Sequence, residues 1–224
     1  MTDHARYATR QKCLPTYLVI DVSSSMQPHQ AALNRILAKL HDTLVKSPRV
    51  SEFAHMSIIA FSTQPWLVIE MVDMEMVDRM PEVICAGATN YAAAFELIRQ
   101  RIDNDLPMLN AQGKAVLRPC VFFLTDGEPT DPGWEFAFRR LVDKNWSRRP
   151  HVITYGFGSA SEAVLAKVAT KAAFLADSDG ADDEALAVAI NSLLNTLVAS
   201  ARSDEMQIPV QTPGYRSIAV EYVE

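Results

Sequence analysis

Short apolar runs alternate along this chain with longer stretches in which apolar residues recur at helical spacing. The first run, residues 14–20, reads as a strand ending at Asp21. Pro28 then opens a helix, a position where its missing N–H is not needed; Ala32, Leu33, Ile36, Leu37, Leu40 and Leu44 line one face of it, and Ser47-Pro48 closes it. Residues 55–61 and 66–71 form two further strands. The short Ser62-Thr63-Gln64-Pro65 turn joins them as an antiparallel hairpin, because a parallel return needs a dozen or more residues.

A methionine-rich acidic stretch, 72–82, is expected as a short core-facing helix. A small-residue loop at 86–90 leads into a helix over 91–102. The strongest strand spans 116–125 and runs into Asp126-Gly127, a turn signal. Residues 134–146 read as helix, 151–157 as strand, 161–171 as helix, 172–176 as a short strand, and 182–201 as a long final helix with Leu186, Ile190, Leu193, Leu194 and Leu197 on one face.

Strands alternating with helices of this length argue for a doubly wound α/β fold: a mostly parallel six-stranded sheet with one antiparallel edge strand and helices on both faces. The runs 14–20 and 121–124 are apolar almost throughout, as central strands covered on both sides must be. The domain is placed at 14–201, after a polar N-terminal segment, 1–13. The polar remainder, 202–224, contains Pro209 and Pro213 and ends with Ile218, Val220 and Tyr222 alternating. It is expected as an appendage, either a tail or an added strand, with Thr212 and Ser217 as surface positions.

At 224 residues and 49% apolar content the chain can bury a sizeable core. Its net charge of -6 leaves no basic footprint for nucleic acid. The densest basic group, Arg139, Arg140, Lys144, Arg148 and Arg149, reads as a solvated face. No continuous apolar stretch approaches the ~20 residues of a spanning helix, and the N-terminus lacks the apolar core of a signal peptide, so no membrane is expected. Three cysteines, Cys13, Cys85 and Cys120, lie far apart, which suggests neither a disulfide framework nor a zinc site and points to a reducing, cytoplasmic setting. The histidines, His4, His29, His41, His55 and His151, show no paired spacing. Gly156-Phe157-Gly158-Ser159 lacks the lysine and the spacing of a phosphate-binding loop and reads as the turn after a strand.

Chemistry concentrates at the carboxyl end of the first strand, where ligands of open α/β sheets bind. Asp21 offers a carboxylate there, and Ser23 and Ser25 offer hydroxyl oxygens pointing the same way; Ser24 points away. Such a set suits a hard divalent cation, Mg2+ or alternatively Mn2+ or Ca2+, rather than zinc or copper. The blander reading makes these serines caps of the following helix.

Asp21-Val22-Ser23-Ser24-Ser25 resembles the DxSxS motif of von Willebrand factor A domains, the first part of their metal-ion-dependent adhesion site. Ala86-Gly87-Ala88-Thr89 resembles the second part, and Thr125-Asp126-Gly127 the third. The resemblance covers roughly 14–201 and implies that Asp21, Ser23, Ser25, Thr89 and Asp126 hold the metal, with an open position for a partner's carboxylate. One departure is Ala88, where the family often has a second glycine. Within the family, the segment Thr125-Asp126-Gly127-Glu128-Pro129-Thr130-Asp131 looks like bacterial TerY-type proteins of tellurium-resistance and stress-response clusters. That implies a PP2C-type phosphatase or a protein kinase as partner.

Partner contacts are expected on the surrounding loops, at Met26, Gln27, Pro65, Asn90, Tyr91, Glu128 and Pro129, while Glu128 and Asp131 read as surface and cap residues rather than ligands. No nucleophile–base pair stands beside the motif, so a protein-binding module is expected and not an enzyme. The alternatives are a Mg2+-dependent hydrolase or phosphatase using the same pocket, and a metal-free scaffold.

Overall fold

The computed structural model describes residues 10–177 and 182–222. The chain order is β1 (Lys12–Cys13), β2 (Thr16–Asp21), a 3-10 turn (Ser24–His29), α1 (Gln30–Val45), α2 (Pro48–Phe53), β3 (Met56–Phe61), β4 (Pro65–Val72), a 3-10 turn (Met74–Met76) and α3 (Tyr91–Ala111). There follow β5 (Ala115–Val116), β6 (Cys120–Thr125), α4 (Trp134–Leu141), β7 (His151–Gly156), α5 (Glu162–Lys167), β8 (Ala172–Ala176), α6 (Asp182–Ser203) and β9 (Tyr215–Ile218). His4 and the outermost residues of both terminal segments lie outside the described residues.

The main sheet runs β4-β3-β2-β6-β7-β8-β9. Its central strands are parallel, and β4 pairs antiparallel with β3, as the short hairpin turn requires. The sheet has a seventh strand beyond the six read from the sequence: β9, from the C-terminal appendage, pairs antiparallel with β8 and makes the second edge. Strand periodicity sorts the core. Leu18, Ile20, Phe122 and Leu124 face α1 and α6, while Tyr17, Val19, Val121 and Phe123 face α3 and α4. By length and composition α6 could cross a membrane; half of it is buried, against the α1 face of the sheet.

Local chemistry moves several boundaries. Pro48 starts the short helix α2 rather than merely ending α1. Pro119 splits the long run 116–125 into β5 and β6, since proline cannot donate to a ladder. The helix expected over 91–102 continues to Ala111 through Pro107. Proline there leaves the Asp103 carbonyl without its helical partner, and Arg148 approaches that oxygen at 3.4 Å.

The methionine-rich stretch forms one 3-10 turn and then an irregular strap, not a helix. Side chains of α1 hold the strap's backbone: Asn34 bonds both the N–H and the C=O of Val83, His41 bonds the Val77 carbonyl, and Gln30 accepts from the Cys85 N–H. Thr212 is buried, with its hydroxyl 3.0 Å from that of Ser192, which corrects its reading as a surface position; Ser217 is exposed on β9. All three cysteines are free and buried.

Candidate metal centre

The chain leaves β2 toward β3 on one side and returns through β6 on the other. The crevice therefore opens at the carboxyl ends of β2 and β6, where Asp21 closes one strand and Asp126 follows the other. Ser23 is extended (φ -65, ψ 175) and makes no side-chain capping bond to the turn that follows, which removes the capping reading for it. Its Oγ stands 3.0 Å from Ser25 Oγ, and Ser25 Oγ donates to Asp126 Oδ1 at 3.0 Å. Ser24 turns away and accepts the Gly87 N–H at 2.9 Å.

Thr89 comes from the facing loop. Its Oγ1 lies close to the Gly127 backbone, 3.9 Å from where a Cβ on that glycine would stand. Gly87 sits at φ +90, the left-handed region that suits glycine, and a Cβ there would stand 2.6 Å from Thr63 Oγ1. Ala88 is not among the positive-φ residues, so the family's second glycine is not needed at that position.

Both carboxylates are buried. Asp21 accepts from the Ser23 N–H at 2.9 Å and from Thr125 Oγ1 at 2.8 Å. Burial pushes its pKa up to about 6; the bonds from Ser23 and Thr125 oppose the rise and the Asp126 charge adds to it. Burial also raises Asp126, against the Ser25 bond and the nearby His29, with Asp182 adding negative charge. His29 itself bonds Asp183 at 2.6 Å.

Two raised carboxylates and three hydroxyls make an oxygen set that a divalent cation would stabilise by favouring both ionised forms. Neighbouring ligands of an octahedral ion at about 2.1 Å stand about 3.0 Å apart, the separation seen for Ser23–Ser25 and Ser25–Asp126. The oxygens of Ser23, Ser25 and Asp126 therefore have the spacing such an ion needs, with Asp21 and Thr89 on the strand end and loop beside them. Among the described residues no group of three or more histidine, cysteine or carboxylate side chains has metal-binding geometry. Any metal at this site would rely on the hydroxyls.

The surrounding loops divide. Gln27 and Glu128 are exposed, and Pro65, Asn90 and Pro129 are half-buried. Met26 and Tyr91, expected as partner contacts, are both fully buried, which corrects that expectation. Met26 turns into the α1 side of the core from its 3-10 turn. Tyr91 opens α3 pointing inward, against Phe123 and Phe61. Its hydroxyl lies 2.9 Å from both Thr125 Oγ1 and the Gly127 carbonyl. It thus supports the residue that bonds Asp21.

Reading the sequence alone missed this under-layer: Tyr91 and Thr125, Ser159, which bonds the Asp126 carbonyl through N and Oγ, and Thr130, which bonds the Thr89 carbonyl. The one signal available was that each lies within a few residues of a motif position or at the end of a neighbouring strand.

The sequence profile of the von Willebrand factor type A domain matches residues 16–128. No curated protein matches the chain by sequence. Among solved structures, proximal thread matrix protein 1 from the mussel byssus superposes with a TM-score of 0.61 at 16% identity, over 84% of this chain and 49% of that one. A second structure of it, with a zinc-occupied MIDAS motif, gives 0.60 at 15% identity over 84% and 48%. The von Willebrand factor type A protein from Catenulispora acidiphila gives 0.56 at 16% identity, over 83% and 43%. This chain thus spans about half the length of the mussel protein. A profile match over half of its length shows that this chain belongs to the von Willebrand factor type A family.

Proposed function

We propose that this domain is a metal-dependent protein-binding module and not an enzyme. One observation carries the reading: oxygens of Ser23, Ser25 and Asp126 stand in a chain of 3.0 Å contacts at the sheet's switch point, with Asp21 behind them and Ser25 open to solvent. Asp21, Ser23, Ser25, Thr89 and Asp126 would hold Mg2+, with Mn2+, Ca2+ and Zn2+ as further occupants. The ion would supply an open coordination position for a partner's Asp or Glu carboxylate. Exclusion of water on docking strengthens that contact. Gln27, Pro65, Asn90, Glu128 and Pro129 would meet the partner's surface. The zinc-occupied motif of the mussel protein supports the metal half of this reading.

A cytoplasmic adaptor in a bacterial stress or tellurite response, working beside a phosphatase and a kinase, is the narrower form of the proposal; it rests on the 125–131 segment alone. The test is affinity capture from native cell extract with Mg2+, with chelator, and with Asp21→Ala. A partner retained only with metal and intact Asp21 supports the reading. The same partners under all three conditions contradict it.

A further inference from the structure

The predicted ligands are not held equally. Asp21, Ser23, Ser25 and Asp126 are linked by direct or one-step hydrogen bonds among themselves and Thr125. Thr89 is located instead through its backbone. Its carbonyl accepts from Thr130 twice, from N at 2.9 Å and from Oγ1 at 3.1 Å. Two residues on, α3 begins, and Tyr91 N and Ala92 N donate to Asp131 Oδ1 at 2.8 and 3.4 Å. The local cap, Asn90, takes Ala93 N at 3.0 Å.

Two of the three first-turn amides of a 21-residue helix are therefore satisfied by a carboxylate forty positions downstream. That carboxylate sits on the loop that starts at Asp126. An acidic group is favourable at a helix N-terminus, but a local residue could have served; this one ties the loop carrying Thr89 to the loop carrying Asp126. Asp131 Oδ2 is buried and takes no hydrogen bond among the described residues, so the side chain works through one oxygen.

We propose that Thr130 and Asp131 form a latch that positions Thr89 for the metal, with Asp131 a positioning residue that acts through α3 and Thr89 and never touches the ion. The proposal rests on the metal reading above. Asparagine offers the same single acceptor, so it should replace aspartate, whereas alanine should not.

The test is Mn2+ titration of the full chain by electron paramagnetic resonance, with amide NMR spectra of the metal-free protein. Asp131→Ala is expected to weaken Mn2+ about tenfold and Asp131→Asn less than about threefold, on the scale of outer-shell effects at metal sites. In the metal-free spectrum of Asp131→Ala, the Thr89 and Asn90 amides should shift while those of residues 21–25 stay in place. Thr130→Val, which removes one of the two bonds to Thr89, should weaken Mn2+ by a smaller factor and carries the test should Asp131→Ala not fold. Wild-type affinity in Asp131→Ala, or equal losses in the alanine and asparagine variants, would overturn the latch. A wild-type chain that binds no Mn2+ would overturn the metal reading instead, and the Thr89 amide shift would then decide the latch by itself.

Discussion

Thr125→Val tests the layer beneath the site. The threonine hydroxyl donates to Asp21 Oδ2 at 2.8 Å and lies 2.9 Å from the Tyr91 hydroxyl. Valine keeps the shape and removes the donor. A bond to a charged group contributes roughly 1.5–3 kcal/mol, and Asp21 is fully buried, so a loss of about 2 kcal/mol is expected when Asp21 is ionised. For a chain of this length that is roughly 4–8 °C in Tm.

The pH dependence carries a sign. Asp21 is raised to about 6 in the folded protein from 3.8, so the folded state holds the proton more tightly. Metal-free stability therefore falls as pH rises from about 4 through about 6, by about 3 kcal/mol in all. The valine penalty should follow the ionised form, full at about pH 8 and nearly gone by about pH 5. Thermal melts of both proteins, without metal, at pH 5 and pH 8 check this. A Tm difference that is the same at both values, or below 1 °C at pH 8, would refute the account of Asp21 as a buried carboxylate supported by Thr125.

Asp21→Asn should remove metal binding yet raise metal-free stability at pH 8 by about 1–3 kcal/mol, because it deletes a buried charge while keeping the shape; paired melts with and without Mg2+ measure both effects. Gly87→Ala, at φ +90 with Thr63 Oγ1 in the way of its Cβ, should destabilise by about 1–2 kcal/mol and weaken Mg2+ in calorimetry by displacing the loop that carries Thr89. Tyr215→Ala removes a ring packed edge-on to Tyr155 and a hydroxyl bond to the Ala185 carbonyl. It should cost about 3–5 kcal/mol and, by loosening β9, expose the β8 edge to self-association, visible by light scattering. An unchanged Tm would show that β9 adds nothing to the sheet.

The fold was legible because strand and helix periods differ and the two central strands are apolar on both faces. The five candidate ligands were legible for a related reason. Each stands at a strand end or in the adjoining loop, where a short local motif suffices to name it. What the sequence did not disclose depends on partners far along the chain. The strap at 77–85 is irregular because Asn34, His41 and Gln30 bond its backbone, which no local period records. Met26 and Tyr91 are buried because a 3-10 turn and the first turn of α3 aim them inward, and loop positions carry no repeating pattern to show it. The last strand stayed one of two readings, tail or added strand, because four residues with only their end positions, Tyr215 and Ile218, turned inward give too short an alternation to choose between them.

The most direct test of the central claim is a crystal of the full chain soaked in Mn2+ and measured for anomalous scattering. The account predicts a peak within about 2.3 Å of Ser23 Oγ and Ser25 Oγ, bounded by Thr89 and Asp126 and absent in Asp21→Asn. A peak elsewhere, or none at the ends of β2 and β6, would contradict it.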